Sequence, residues 1–296
     1  MTRIDPADLS NFLAIARHRS FRRASVDLGV TASALSHALR NLEEQLGLRL
    51  LNRTTRSVAL TEAGQLLYDR ITPAFRDIDD AIEDLNAFRG APTGTLRINA
   101  APAAARIALL PMVTRFLAAF PDIHVEIALN NALVDVVSEG FDAGIRFGET
   151  IAGDMIAVPI GPRQRSAVVA SPDYFNRHPM PREPRDLLKL PCIRYRFSSG
   201  VFYHWEFERG GTELEIEVDG PITLSEQDLM IDAALAGSGI AYVFESLAKS
   251  HLEAGRLMRV LEDWCPYYPG FFIYYPSRRQ VPAALRAFID FVRRSS

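Results

Sequence analysis

The chain has little of the chemistry on which most enzymes and exported proteins depend. Among 296 residues there are two cysteines, Cys192 and Cys265, and no CxxC pair, so neither a disulfide framework nor a zinc site has support and a reducing compartment fits. The histidines, His18, His37, His124, His178, His204 and His251, are scattered, with no HExxH and no metal-like cluster. There is no Walker A loop and no GxSxG elbow. Gly237-Ser238-Gly239 is a fragment of a GxGxxG fingerprint and reads as a tight helix-to-strand turn. The expectation is a protein that is not an enzyme and needs no metal or cofactor. No apolar run reaches the roughly 18 uninterrupted residues of a membrane span, and the opening MTRIDPADLSNF lacks an apolar stretch with small-residue cleavage flanks. A cytoplasmic protein without a membrane partner is expected, which weighs against an exported solute-binding protein.

What is present is the composition of a globular chain, 48% hydrophobic and 23% charged, with a length that suggests two or three folding units. The formal net charge of -3 is unevenly spread. Up to Leu60 the chain carries nine arginines against five carboxylates, leaving a basic head on an acidic body. That asymmetry is expected where one domain touches phosphate and the other does not.

The head reads as three helices. Pro6 to His18 places Leu9, Phe12, Leu13 and Ala16 at helical spacing; Ser20 caps a second helix that ends at Gly29; Thr31 caps a third. Along the third, Leu35, Leu39, Leu42 and Leu46 form an apolar row that stops at Gly47. The connection Gly29-Val30-Thr31 has the length of a helix-turn-helix turn. Ser33, Ser36, His37 and Arg40 fall opposite the leucine row, a polar reading face, although a solvated amphipathic helix with Arg40 paired to Glu43 or Glu44 fits the same pattern. Arg49-Leu50-Leu51 and Ser57 to Leu60 flank the basic turn Asn52-Arg53-Thr54-Thr55-Arg56, which predicts a short hairpin. Thr61 then caps a long helix reaching about Arg89, in which Leu67, Ile71, Ala74, Ile78, Ala81, Leu85 and Phe88 recur with coiled-coil spacing, a seam for dimerisation. Pro73 predicts a kink near Asp69.

After the linker Gly90 to Gly94, strands alternate with helices: strands near Thr95–Asn99, His124–Leu129, Ala143–Phe147, Ser166–Ala170, Cys192–Phe197 and Ile240–Phe244, and helices near Ala103–Ala119, Leu133–Glu139, Glu226–Ala236 and Ala283–Arg294. Glu208-Arg209-Gly210-Gly211 reads as a hairpin turn before Glu213 to Val218. The alternation predicts a mainly parallel sheet covered by helices.

The run SFRRASVDLGVTASALSHALRNLEEQLGLRLLNRTTRSVALTEAG from Ser20 to Gly64 closely resembles the signature of LysR-type transcriptional regulators. Its carriers are Ser20-Phe21, Ala24, Leu28, Ala34-Leu35-Ser36, Leu42-Glu43, Leu46-Gly47, Leu50, Arg53 and Leu60 to Gly64. Weaker echoes at Phe141 to Arg146 and Ala233 to Ala241 extend the resemblance over essentially the whole chain. It implies an N-terminal all-α winged helix-turn-helix (1–60), a long linker and dimerisation helix (61–90), and a periplasmic-binding-protein-like effector domain of two α/β subdomains (91–296, divided as about 91–162 with 268–296, and 163–267). The chain departs from the common pattern at Ala32, where many members carry Gln, at His37, where many carry Arg, and at Ala101-Pro102, where many have Ser or Thr.

The implied function is sequence-specific binding of double-stranded DNA, modulated by a small-molecule effector, by a homodimer or homotetramer that engages RNA polymerase. A DNA-binding repressor without a ligand is the alternative. DNA contacts are expected from Thr31, Ser33, Ser36, His37 and Arg40, and from the wing residues Arg53, Thr54 and Arg56; dimerisation from Leu67, Ile71, Ile78 and Leu85. Ligands of α/β units tend to bind at the carboxyl ends of strands. That rule selects Ala101, Pro102, Asn130, Arg146 and Phe147 in one subdomain, and Phe197, Ser198, Tyr203, Ser225, Glu226, Val243 and Phe244 in the other. A partly apolar or aromatic ligand with Arg146 facing an acidic or carbonyl group is the expectation. The plainer alternatives are that Arg146 pairs with Asp142 or Glu149 and that Phe197 and Phe244 are core.

Overall fold

The computed structural model describes residues 4–53, 58–86, 92–131, 139–147, 155–277 and 281–295, and the chain forms two compact units, Met1–Arg89 and Gly90–Ser296.

Local chemistry sets the helices of the first unit. The Asp5 carboxylate accepts from the Ala7 amide at 2.9 Å to start α1 (Pro6–His18). The Ser20 hydroxyl accepts from the Arg23 amide at 3.3 Å to start α2 (Phe21–Asp27), and the Thr31 hydroxyl from the Ala34 amide at 3.2 Å to start α3 (Ala32–Leu46). Each cap satisfies an amide that the first helical turn leaves open, worth about 1 kcal/mol. Leu35, Leu39 and Leu42 then pack with Phe12, Ile15 and Ala24 into one core. The wing is an antiparallel pair, β1 (Leu51–Arg53) and β2 (Val58–Leu60), with Leu51 opposite Leu60. Its first strand begins two residues later than the pattern suggested, because the Leu50 amide goes to the Glu43 carboxylate at 2.8 Å and its carbonyl to the Thr61 amide at 2.9 Å.

Thr61 turns the chain into α4 (Glu62–Asn86), its hydroxyl accepting from the Gly64 amide at 3.0 Å while donating to the Arg49 carbonyl at 2.7 Å. A side chain on Gly64 would lie 1.9 Å from the Leu50 carbonyl oxygen, so only glycine lets helix and wing meet here. The helix continues α-helical through Pro73. Leu67 and Ile71, expected in a dimer seam, instead pack partly buried against the core of their own unit, whereas Leu66, Ile78 and Ile82 are exposed. The first turns of α4 cover the three-helix core, and these half-buried side chains pack on it. Leu85 (its side chain) and Phe88 lie outside the described residues.

Among its described residues the second unit has a five-stranded sheet, a three-stranded sheet and two strand pairs. The larger has the order β4 (Ile123–Leu129), β3 (Gly94–Ala100), β5 (Ala143–Phe147), β14 (Phe271–Pro276), β6 (Met155–Ile160). The first three are mutually parallel, but β14 runs antiparallel to both neighbours, so the sheet is mixed rather than mainly parallel. The smaller sheet is β12 (Ala241–Phe244), β7 (Ser166–Ala170), β13 (Met258–Val260), again antiparallel. Beside it lie the parallel pair β8 (Ile193–Tyr195) with β11 (Ile222–Leu224), and the hairpin β9 (Trp205–Arg209) with β10 (Thr212–Ile216).

Helices cover both sheets. Pro102–Ala119 is one helical run: α5 (Pro102–Ala104), a π-helical stretch Ala105–Leu109, and α6 (Leu110–Ala119). Among the described residues it alone is long and apolar enough to cross a membrane, yet Ala104, Ala108, Leu109, Met112, Val113 and Phe116 pack in the core with α10 (Ala283–Ser295). The smaller sheet carries α7 (Pro172–Arg177), α8 (Gln227–Leu235) and α9 (Glu245–Glu253). The helix expected over Leu133–Glu139 falls almost wholly outside the described residues.

The chain passes from the larger sheet to the smaller between Ile160 and Ser166, and returns between Val260 and Phe271. The two passages are tied by reciprocal backbone bonds, Gln164 amide to Tyr268 carbonyl at 3.2 Å and Tyr268 amide to Gln164 carbonyl at 2.9 Å. They run so close that a Cβ on Gly270 would stand 2.4 Å from the Pro162 carbonyl oxygen.

Candidate functional sites: a helix face and a crevice

On α3 Leu35, Leu39 and Leu42 are buried and Leu46 is half-buried, and the opposite side is open: Ser33, His37 and Arg40 are exposed and Ser36 is half-buried. The His37 ring and the Asn41 amide are 3.2 Å apart, one turn along the same face. The Glu43 carboxylate accepts from the Leu50 and Leu51 amides at 2.8 and 3.1 Å, fastening the wing to the helix. Arg17, Arg19, Arg22, Arg23 and Arg49 are exposed or half-buried on the same unit, a basic surface suited to phosphate. Thr31 is spent on its cap. Thr54, Arg56 and the side chain of Arg53 lie outside the described residues.

In the second unit an open crevice of about 530 Å³ is lined by Pro102, Leu129, Asn130, Asn131, Ser198, Ser225 and Glu226. Five of these come from the strand-end rule; Leu129 and Asn131, one residue either side of Asn130, do not. The two walls are joined. Asn131 Nδ2 donates to the Ser225 carbonyl at 3.0 Å and to Glu226 Oε1 at 2.9 Å, and Arg106 pairs with Asp228 at 3.2 Å. Burial raises the Glu226 pKa from its ordinary value, and the Asn131 hydrogen bond acts against that rise.

Other expected wall residues belong to packing. Arg146 is only 7% exposed and donates to Ile145 and Asn130 carbonyls at 2.7 and 2.9 Å and to Asn99 Oδ1 at 2.7 Å. It therefore ties β5 to β3 and to the turn after β4, in place of the expected role toward a ligand. Burial lowers its pKa from the ordinary arginine value. Phe147 stacks on Phe244 with ring centres 5.4 Å apart and packs against Phe271 at 4.6 Å; Val243 is 1% exposed. Position at a strand end does not by itself separate an inward-facing side chain from one on the rim. Tyr203 sits among Tyr195, Phe197 and Tyr242, while Phe197 itself is exposed beside Ser198. Ala101 caps α5 with no side-chain hydrogen bond. Both cysteines are buried, and burial pushes the Cys192 thiol up to about 12 and the Cys265 thiol to about 11. Among the described residues no group of three or more His, Cys, Asp or Glu is placed to hold a metal.

A capped three-helix unit with a wing, followed by a two-sheet unit with a crevice, defines a DNA-binding regulator with a ligand-binding module. The comparisons agree. Residues 6–65 match the bacterial regulatory helix-turn-helix protein, lysR family, and residues 89–296 match the LysR substrate binding domain. The chain belongs to the LysR family of transcriptional regulators, whose members bind DNA and small-molecule effectors and form oligomers. It is 47% identical to the HTH-type transcriptional regulator YcaN of Escherichia coli over 98% of this chain and 95% of that one. It is 42% identical to PgrR of the same organism over 98% and 97%. Among solved structures it is similar to the full-length virulence activator AphB of Vibrio cholerae, with a TM-score of 0.66 at 27% identity covering 98% of both chains. CrgA of Neisseria meningitidis gives 0.59 at 26% identity, covering 99% of both.

Proposed function

We propose that α3 enters the major groove with Ser33, Ser36, His37 and Arg40 toward base edges, that the wing arginines hold the backbone, and that a small effector lodged in the crevice shifts operator binding or promoter activation. The observation that carries this is the division of α3 into a leucine row packed on the core and an open polar face. With Ala32 unable to hydrogen-bond a base through its side chain, discrimination rests on the other side chains of that face. The protein acts as a homodimer, through exposed apolar residues of α4 such as Ile78, placing two α3 helices in major grooves about 34–36 Å apart. An effector shifts such an assembly only by its differential affinity for the two states. The protein works in the cytoplasm as a regulator rather than an enzyme.

The test is Arg40→Ala. Without the guanidinium at a base edge, specific binding weakens by about 1–3 kcal/mol and preference relaxes at one position. A gel-shift series on a selected operator and its point variants measures both, and unchanged affinity with unchanged preference removes Arg40 from the reading face.

A further inference from the structure

We infer that the crevice between the ends of β3 and β4 and those of the β8–β11 pair selects ligands that present a hydrogen-bond donor or a positive charge, such as an ammonium or a primary amide, over small carboxylates. This rests on the reading of the crevice as the effector site and adds the chemical class of ligand.

Among the described lining residues, Glu226 alone is charged. The other polar groups of the lining are amides and hydroxyls, at Asn130, Asn131, Ser198 and Ser225. Arg146 is buried beneath the wall, with its Nη donors on Ile145, Asn99 and Asn130 oxygens, and is not part of the described lining. Arg106, outside the described lining, pairs with Asp228 at 3.2 Å.

The start of α8 would by itself favour an anion, since helix N-termini present open amide donors. Here the residue at that N-terminus is Glu226, which supplies the negative charge from within the protein. A carboxylate ligand would meet it as a like charge in a half-desolvated site, whereas an ammonium or amide would take the place of Asn131 as its donor. The Asn131 side-chain bonds to Ser225 and Glu226 show the two acceptor positions such a donor would use. Leu129 and Pro102 leave room for an apolar linker beside them.

The experiment titrates full-length protein by calorimetry, at fixed salt, with three molecules of one length: 1,4-diaminobutane, succinamide and succinate. The expected result is saturable binding of the diamine or the diamide, at least tenfold tighter than succinate. Glu226→Gln should weaken the diamine at least tenfold while leaving the diamide within about threefold. Asn131→Ala, which frees Glu226, should strengthen the diamine. Circular dichroism and melting of each variant keep misfolding separate from lost recognition. Succinate binding tightest, diamine binding indifferent to Glu226→Gln, or no saturable binding by any of the three at about 10 mM would each overturn the inference. Operator binding measured in the same samples separates the two readings. Succinate that binds and shifts DNA affinity keeps the regulatory reading and sinks this one, and a diamine that binds with no effect on DNA does the reverse.

Discussion

Arg146 illustrates how one side chain changes meaning between sequence and structure. At the end of a strand, beside a crevice, an arginine reads as an anchor for an acid. In the folded unit it is a buried tie among three oxygens of different elements. Arg146→Ala removes donors from acceptors that water reaches poorly, at a cost of about 1–3 kcal/mol for each one left unsatisfied. The expected outcome is a lower melting temperature with operator binding retained at low temperature, and Arg146→Lys should rescue only part of the loss because an ammonium cannot reproduce the planar spread of the guanidinium. A variant with wild-type melting but altered effector response would restore Arg146 to the crevice. Glu43 makes the complementary point: read as a possible partner for Arg40, it is the clasp of the wing.

At the scale of elements, α4 divides into a half that belongs to its own unit and a half that presents apolar groups outward. Leu67→Ala should therefore destabilise the DNA-binding unit, by about 1–2 kcal/mol for a partly buried leucine, without changing the association state. Ile78→Asp should leave that unit's melting unchanged and shift the sedimentation of full-length protein toward monomer. The reverse assignment of effects would refute this division. Periodicity alone marks Leu67, Ile71 and Ile78 as equivalent because a seven-residue repeat records which face is apolar and not what covers it. The local signals were legible: Ser20, Thr31 and Thr61 accept from the amides their spacing implied, and Ala143–Phe147 and Ser166–Ala170 are strands as read. The crevice was half legible, since strand ends pointed to Asn130, Ser198 and Glu226, but Asn131 is defined by bonds to residues more than ninety positions away. Strand β14 was missed because its pairing with β5 and β6 is wholly non-local. Phe244 packs in the core, the plainer of the two readings its sequence allows, with Phe147 against it, because alternation along a strand does not say which face another layer will bury.

At the scale of the second unit, charges gather where the smaller sheet meets its passages to the larger. The Glu245 carboxylate is held by Arg165 and by Arg259, Arg165 also reaches Glu262 at 3.1 Å, and Arg259 donates to the Ser166 carbonyl at 3.1 Å. The Arg165 hydrogen bond, the largest influence, holds the Glu245 pKa below the ordinary glutamate value; burial, next in size, acts against it, and Arg259 adds to the lowering. A carboxylate with a depressed folded pKa contributes stability that is complete above its unfolded pKa, about 4.3, and is lost as pH falls through the folded value. Wild-type protein should thus lose melting temperature more steeply below about pH 4.3 than Glu245→Gln. At neutral pH the variant should be less stable by about 1.5–3 kcal/mol, the range for hydrogen bonds to charged groups. Parallel acid melting curves for the two proteins would refute the assignment. The paired passages beside this cluster have a mechanical consequence. Two strands that cross a gap side by side, stapled to each other at Gln164 and Tyr268, resist shear and independent twist and leave bending about a single axis as the soft coordinate. Bending of the two sheets about that axis would change the Asn131–Glu226 and Arg106–Asp228 separations across the crevice together.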